Sequence, residues 1–222
     1  MPPTHLIYDW DNTLVDAWPG VTAAMNAAFA AFAMPDWTVA DTRARARRSL
    51  TEAFPPLFGP DWPRARDIFH AAYQARHTET LRPLAGSAAL LAGFPAARQA
   101  VVSNKTGRFL RAEAAHLGWT EHFTTLIGAG DAAADKPDPA PIRLALDRLG
   151  AAAGPEVWYV GDTALDMQAA RAAGVTAVLL GDAAHDGGVD RAAPDRHFPD
   201  AAFLLRVLTG APSGACPGRT GC

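Results

Sequence analysis

The sequence predicts an α/β protein in which a parallel sheet carries helices on both faces and a small helical segment is inserted after the first strand. Three observations predict it. Apolar runs that suit doubly covered strands alternate with amphipathic helical stretches from about residue 99 onward. Between residues 17 and 83 helical patterns occur without a convincing buried strand. At 222 residues the chain exceeds what one minimal domain needs, which leaves room for a core and an insertion.

Leu6, Ile7 and Tyr8 read as a buried strand that stops at two carboxylates, Asp9 and Asp11, where open α/β sheets place their ligands. Val21 to Met34 is Ala-rich, with Val21, Met25, Phe29 and Phe32 near helical spacing. Pro55-Pro56, Gly59-Pro60 and Pro63 break the helical patterns that follow. Gln99 to Ser103 is the next strand, Phe109 to Leu117 a helix, Phe123 to Ile127 a short strand and Pro141 to Leu149 a helix. Val157 to Val160 is a strand running into Gly161-Asp162-Thr163, followed by a helix from Ala164 to Ala173, a strand from Val175 to Leu180 and a last helix from Ala201 to Leu208. The expected division is therefore a core of residues 1–16 and 84–209, an inserted helical domain of residues 17–83, and a disordered tail over 210–222.

A formal charge of −3 gives no field that would hold nucleic acid or an anionic membrane, so a small-molecule partner is favoured. No segment approaches a membrane span and no leader pattern precedes the first strand, so a cytoplasmic protein, monomer or homodimer, is expected. Both cysteines, Cys216 and Cys222, fall in the Gly/Pro-rich tail. Without nearby histidines they make half a zinc site at most.

Four polar clusters sit at or near strand ends. Each has an ordinary structural use: Asp9-Trp10-Asp11-Asn12 as a turn, Ser103-Asn104 as a helix cap, Lys136 as a surface lysine, and Asp162 with Asp166 as acids at a helix start. Together they supply the roles that phosphoryl transfer needs. Asp9 can serve as nucleophile and cation ligand, Asp11 as proton donor, Ser103, Asn104 and Lys136 as phosphate partners, and Asp9 with Asp162 as hard oxygen ligands for Mg²⁺.

In this order, D-W-D-N-T at Asp9 to Thr13, V-V-S-N-K at Val101 to Lys105, D-K-P-D-P at Asp135 to Pro139 and G-D-T-A-L-D at Gly161 to Asp166 resemble the haloacid dehalogenase superfamily. The similarity is greatest to its phosphoglycolate-phosphatase-type members with a helical cap, and it covers about residues 5 to 182. The resemblance implies a Rossmann-like core, Asp9 forming an aspartyl-phosphate, and Asp11 acting as general acid and then as base for water. It implies Mg²⁺ held by Asp9, the Asp11 carbonyl and Asp162, with Thr13 and Asp166 supporting and Trp10 and Asn104 contacting substrate or phosphate. Asn12 stands where many relatives have glycine; asparagine tolerates a left-handed backbone, so the turn is expected to survive.

The expected activity is hydrolysis of a small phosphomonoester. Asp11 argues against a 2-haloacid dehalogenase, whose members lack that second aspartate. A sugar phosphomutase keeps both acids and stays open, as does a vestigial regulatory module. In the insertion, Arg43, Arg45, Arg47 and Arg48 fall within six positions. One of them, with Arg47 and Arg48 the leading candidates, could clamp a substrate carboxylate; a solvated charged face is the alternative. Trp37, Phe54, Phe58, Trp62, Phe69 and Tyr73 read as the insertion's own core, and His70 and His77 as ordinary.

Overall fold

The computed structural model describes residues 2–45 and 50–210. Strand β1 (His5–Tyr8) lies in the middle of the main sheet. A two-residue strand, β2 (Val15–Asp16), leads into the helices α1 (Trp18–Ala31), α2 (Val39–Arg45), α3 (Leu50–Phe58) and α4 (Trp62–Thr80), and β3 (Arg82–Pro83) returns antiparallel to β2. The chain then runs through α5 (Ser87–Ala92), β4 (Gln99–Thr106), α6 (Gly107–His116), β5 (Thr125–Ala129), α7 (Ala140–Leu149), β6 (Val157–Gly161) and α8 (Ala164–Ala173). It ends with β7 (Thr176–Leu180), α9 (Val189–Ala192), β8 (Arg196–Phe198) and α10 (Ala201–Thr209).

The main sheet is parallel throughout, in the order β5-β4-β1-β6-β7-β8. After β1 the chain builds outward on one side through β4 and β5, then crosses to the other side for β6, β7 and β8. That reversal opens a crevice at the carboxyl ends of β1, β4 and β6. Alternation along the strands divides the core between two faces. Leu6, Tyr8, Trp158 and Val160 pack on one, and Ile7, Val157 and Tyr159 on the other. Both faces are apolar, as a sheet covered on two sides requires.

The helices between β2 and β3 make a third apolar cluster of their own, built on Met25, Phe29, Phe54, Phe58 and Phe69. The aromatics expected to form the insertion's core are in it or packed against it. Pro55 and Pro56, expected to break the pattern, instead lie inside α3. Phe54 and Phe58, one turn apart, are both buried in that cluster, and this packing outweighs the backbone hydrogen bonds two prolines remove.

Other boundaries moved for local reasons. Helix α1 begins three residues before Val21, with Pro19 in its first turn, where proline's missing N–H costs nothing. Strand β4 runs on to Thr106 through an irregular register after Val102, so Ser103, Asn104 and Lys105 belong to the strand. Strand β5 begins at Thr125 rather than Phe123. Edge strand β8 buries only Phe198, which left almost no pattern to read. No helix among the described residues is long and apolar enough to cross a membrane. The tail from residue 211 and residues 46–49, with Arg47 and Arg48, lie outside the described residues.

Close packing near the crevice depends on Gly128. A methyl group there would come within 2.4 Å of Gly107 Cα and 2.6 Å of the Lys105 carbonyl oxygen, both backbone. Gly150 at the end of α7 has φ +64° and open space around it. Gly128→Ala should therefore cost roughly 1–3 kcal/mol through overpacking, and Gly150→Ala roughly 1 kcal/mol through backbone strain alone. Urea unfolding measures both; a larger loss at Gly150 would contradict this packing.

Candidate active site

Asp9 leaves the sheet directly after β1, its N–H still donating to Val160 O at 2.8 Å. The loop closes at once, because Leu14 N and Val15 N donate to Trp10 O at 3.0 and 3.2 Å. Asn12 sits at φ +62°, the left-handed conformation expected of it. This turn sends the two acids apart. Asp9 is buried over the sheet, whereas the Asp11 side chain keeps 30% of its exposure and faces Lys105.

Lys136, on the loop after β5, holds Asp9. Its Nζ donates to Asp9 Oδ1 at 2.7 Å, Asp166 Oδ1 at 2.7 Å and Tyr159 OH at 2.9 Å, which uses all three ammonium protons. The loop is stapled to β4 by Asn104, whose Nδ2 donates to Lys136 O and whose Oδ1 accepts from Lys136 N, each at 2.9 Å. Asn104 therefore positions the lysine, and its amide is spent there rather than on phosphate. Ser103 is buried and its Oγ accepts from Lys105 N at 3.3 Å, an arrangement that leaves the hydroxyl proton free to donate.

From β6, Asp162 Oδ1 accepts from Thr13 Oγ1 at 3.1 Å, and its Oδ2 lies 3.1 Å from His185 Nε2. Asp166 begins α8 in a capping box, its Oδ2 accepting from Thr163 N at 3.1 Å and Thr163 Oγ1 at 2.6 Å. Gly161 is required beneath it, since a Cβ there would lie 2.5 Å from the Asp166 side chain. Asp9, Asp162 and Asp166 bring carboxylate oxygens within 4.8 Å of one another. Asp166 is fixed by Lys136 and by its own capping box, so the supporting role expected of it fits, whereas Asp162, held by Thr13 and His185 at 3.1 Å each, would exchange its His185 contact to share a cation with Asp9. Their all-oxygen donor set suits a hard cation such as Mg²⁺.

Besides Asn104, two sequence-based assignments are corrected. The Trp10 side chain is not in the crevice: it is fully buried, with its ring edge-on to Trp119 and its Nε1 donating to Glu113 Oε2 at 2.7 Å. Nor is His77 ordinary, because it is buried with Nδ1 2.7 Å from Glu113 Oε1. Sequence reasoning also passed over Lys105, Glu113, Tyr159 and His185. Glu113 could have been found, since it occupies an apolar-face position of α6, four residues after Phe109 and three after Leu110. His185 left no such signal.

Between helical segment and core, a cavity of about 260 Å³ opens beside Asp162, lined in part by Asn12, Thr13, Trp18, Arg43 and His185. Arg43 comes from α2 and its guanidinium lies over the Trp18 ring, 5.8 Å from the centroid. Arg45 faces elsewhere, exposed and 3.6 Å from Asp41.

Burial, reinforced by repulsion from Asp166 and Asp162, pushes the Asp9 carboxyl up to about 7 against the pull of Lys136. Burial likewise raises Asp162, against its hydrogen bond with His185. An acid raised in the fold keeps a proton that the unfolded chain has released. From the ordinary 3.8 up to about 7, the stability that Asp9 contributes to the metal-free protein should therefore be lost as pH rises. A cation held by Asp9 and Asp162 offsets that loss, so Mg²⁺ should raise the melting temperature more at about pH 8 than at about pH 5. A shift independent of pH would contradict this site.

Comparison with known proteins agrees with the geometry. The model of the haloacid dehalogenase-like hydrolase family matches residues 6–180. Phosphoglycolate phosphatase of Xylella fastidiosa is 33% identical over 183 residues, covering 80% of each chain. N-acetylmuramic acid 6-phosphate phosphatase of Pseudomonas aeruginosa is 32% identical over 178 residues, covering 76% of this chain and 77% of its own. A haloacid dehalogenase-like family hydrolase from Streptococcus pneumoniae shares the fold, with a TM-score of 0.80 at 20% identity over 93% of this chain and 98% of that one. The family match runs from β1 to β7 and so takes in every strand whose end carries an acid or hydroxyl of the crevice; the chain belongs to the haloacid dehalogenase-like hydrolases.

Proposed function

We propose that this hydrolase is a Mg²⁺-dependent phosphatase that hydrolyses a small, carboxylate-bearing phosphomonoester, with the helices between β2 and β3 serving as its cap. The observation that carries the reading is the division of labour in one loop. Asp9 is buried, held by Lys136 and faced by Asp162, while Asp11, two residues on, presents a separate, part-exposed carboxyl. A haloacid dehalogenase has no use for the second acid, whereas a phosphate ester leaves an alkoxide that must be protonated.

In this reading an Asp9 carboxylate oxygen attacks phosphorus, the ester oxygen departs with a proton from Asp11, and an aspartyl-phosphate remains on Asp9. Asp11, now ionised, takes a proton from the water that attacks this intermediate, which releases phosphate and restores both acids. Ser103 supplies a donor for the phosphoryl oxygens, and Lys136, whose three protons are spent on Asp9, Asp166 and Tyr159, keeps Asp9 in place and adds positive charge beside it. Asp9 and Asp162 would hold Mg²⁺, which when bound would supply the positive charge that lets a carboxylate approach a phosphate dianion.

Support for a carboxylate on the substrate comes from two directions. The substrates in the names of both relatives above are phosphate esters of acids, and Arg43 lines the cavity beside Asp162. Such a small phosphorylated metabolite would place its carboxylate against Arg43.

Purified protein should release phosphate from phosphoglycolate, N-acetylmuramic acid 6-phosphate or p-nitrophenyl phosphate with Mg²⁺ and lose that activity in excess chelator. Undiminished turnover in chelator, or phosphoryl transfer between sugar hydroxyls instead of phosphate release, would overturn the reading. Arg43→Ala should lower kcat/KM for the carboxylate-bearing substrates about tenfold, roughly the strength of one hydrogen bond to a charged group. It should leave p-nitrophenyl phosphate unchanged; equal losses would remove Arg43 from substrate recognition.

A further inference from the structure

Glu113 is the most demanding residue outside the acidic cluster. It is fully buried on α6, and four donors from three parts of the chain converge on it. Lys105 Nζ reaches Oε2 at 2.5 Å and Trp10 Nε1 the same oxygen at 2.7 Å. His77 Nδ1 lies 2.7 Å from Oε1, and Tyr73 OH donates to that oxygen at 3.4 Å. A carboxylate oxygen accepts, so His77 Nδ1 is the donor of this contact when it carries a proton. Buried ion pairs are poor devices for stability alone, because apolar residues of similar volume often serve as well. A carboxylate kept here invites a reason beyond packing.

The reason offered by the geometry is Asp11. The ammonium that Glu113 holds also lies 2.6 Å from Asp11 Oδ1, in a close ionic contact rather than an aligned hydrogen bond. Glu113 thus grips the catalytic loop twice, through the Trp10 indole and through Lys105 on the Asp11 carboxyl. Its other oxygen faces the cap. Tyr73 and His77 sit one turn apart on α4, their rings stacked with centroids 5.6 Å apart. Lys105 Nζ lies 5.5 Å from the Tyr73 centroid, and Phe109 closes the side, 5.0 Å from the His77 ring. These rings roof the Lys105–Glu113 pair and keep water from it where α4 docks on α6.

We propose that Glu113 is a positioning residue that sets the Asp11 carboxyl for proton transfer through Lys105, and that His77 makes this setting depend on the docked cap helix. The proposal rests on the reading of Asp11 as the acid that protonates the leaving group. It requires leaving-group dependence. An alkyl phosphate needs the proton from Asp11 in its first step, whereas p-nitrophenolate leaves without it, and kcat/KM covers binding and that step but not hydrolysis of the intermediate. A Glu113 that merely held the fold would, when changed, lower both substrates alike.

The test compares kcat/KM for phosphoglycolate and a carboxyl-substituted nitrophenyl phosphate, which both offer Arg43 a carboxylate and differ in leaving group, each with saturating Mg²⁺, in wild type, Glu113→Gln, His77→Phe and His77→Asn. Glu113→Gln should lose roughly 100-fold on phosphoglycolate and less than about threefold on the aryl ester. His77→Phe should lose about tenfold on phosphoglycolate only. His77→Asn, which keeps a donor near the Nδ1 position, should recover most of that loss. If Glu113→Gln does not fold, the His77 pair carries the test. Equal losses on the two substrates, or none, would overturn the proposal. Wild-type protein inactive on both would instead overturn the phosphatase reading, before any variant is compared.

Discussion

A single ammonium group, Lys136 Nζ, sits where the ends of β1 and β6 meet, within 2.9 Å of Asp9, Asp166 and Tyr159. Burial works against its charge, but the carboxylates of Asp166 and Asp9 outweigh burial and keep it protonated. Without it, acids raised by burial and by one another could not share so small a space. Even so the balance is incomplete. Asp9, Asp162 and Asp166 converge on one lysine, with Asp162 turned toward Thr13 and His185, and Asp9 is still pushed up to about 7. A site short of positive charge and lined by hard oxygens is suited to a divalent cation and a phosphate dianion together.

The sheet order puts this chemistry in one place. Because β4 and β6 flank β1, Ser103, Asp9 and Asp162 lie side by side although about 150 residues separate the first strand's end from β6's. Fixed backbone contacts hold each group. Asn104 clamps the Lys136 loop, the Thr163 box orients Asp166, and the Asn12 turn sends Asp9 to Lys136 and Asp11 to Lys105. The same turn brings the Trp10 indole under Glu113, so the loop is gripped from the core on one side and, through Tyr73 and His77, from α4 on the other.

Much of this was legible in the sequence because parallel strands buried on both faces are written as apolar runs, and their ends as abrupt polar clusters. Leu6 to Tyr8 before Asp9, and Val157 to Val160 before Asp162, are of this kind. Four things were not legible. Short edge elements such as β8 bury too little to leave a pattern, and α3 kept its helix through Pro55 and Pro56 because aromatic packing decided the matter. Trp10 and Asn104 sit inside motifs, yet their side chains turn away from the crevice to anchor it. The Glu113 network joins residues 10, 73, 77, 105 and 113, and nothing local in the sequence marks such a convergence. Its one trace is a glutamate on the apolar face of a helix.

The central claim is that Asp9 and Asp11 do different work, and rapid quench of Asp11→Asn with p-nitrophenyl phosphate tests it most directly. The variant keeps the nucleophile and loses the base that activates water, so a good leaving group should still depart while the intermediate persists. The account predicts a burst of p-nitrophenol approaching one per active site, then slow turnover, with intact-mass analysis showing an added phosphoryl group. A linear rate with neither burst nor adduct would contradict it, and would mean that water attacks the phosphate directly while Asp9 only binds the metal.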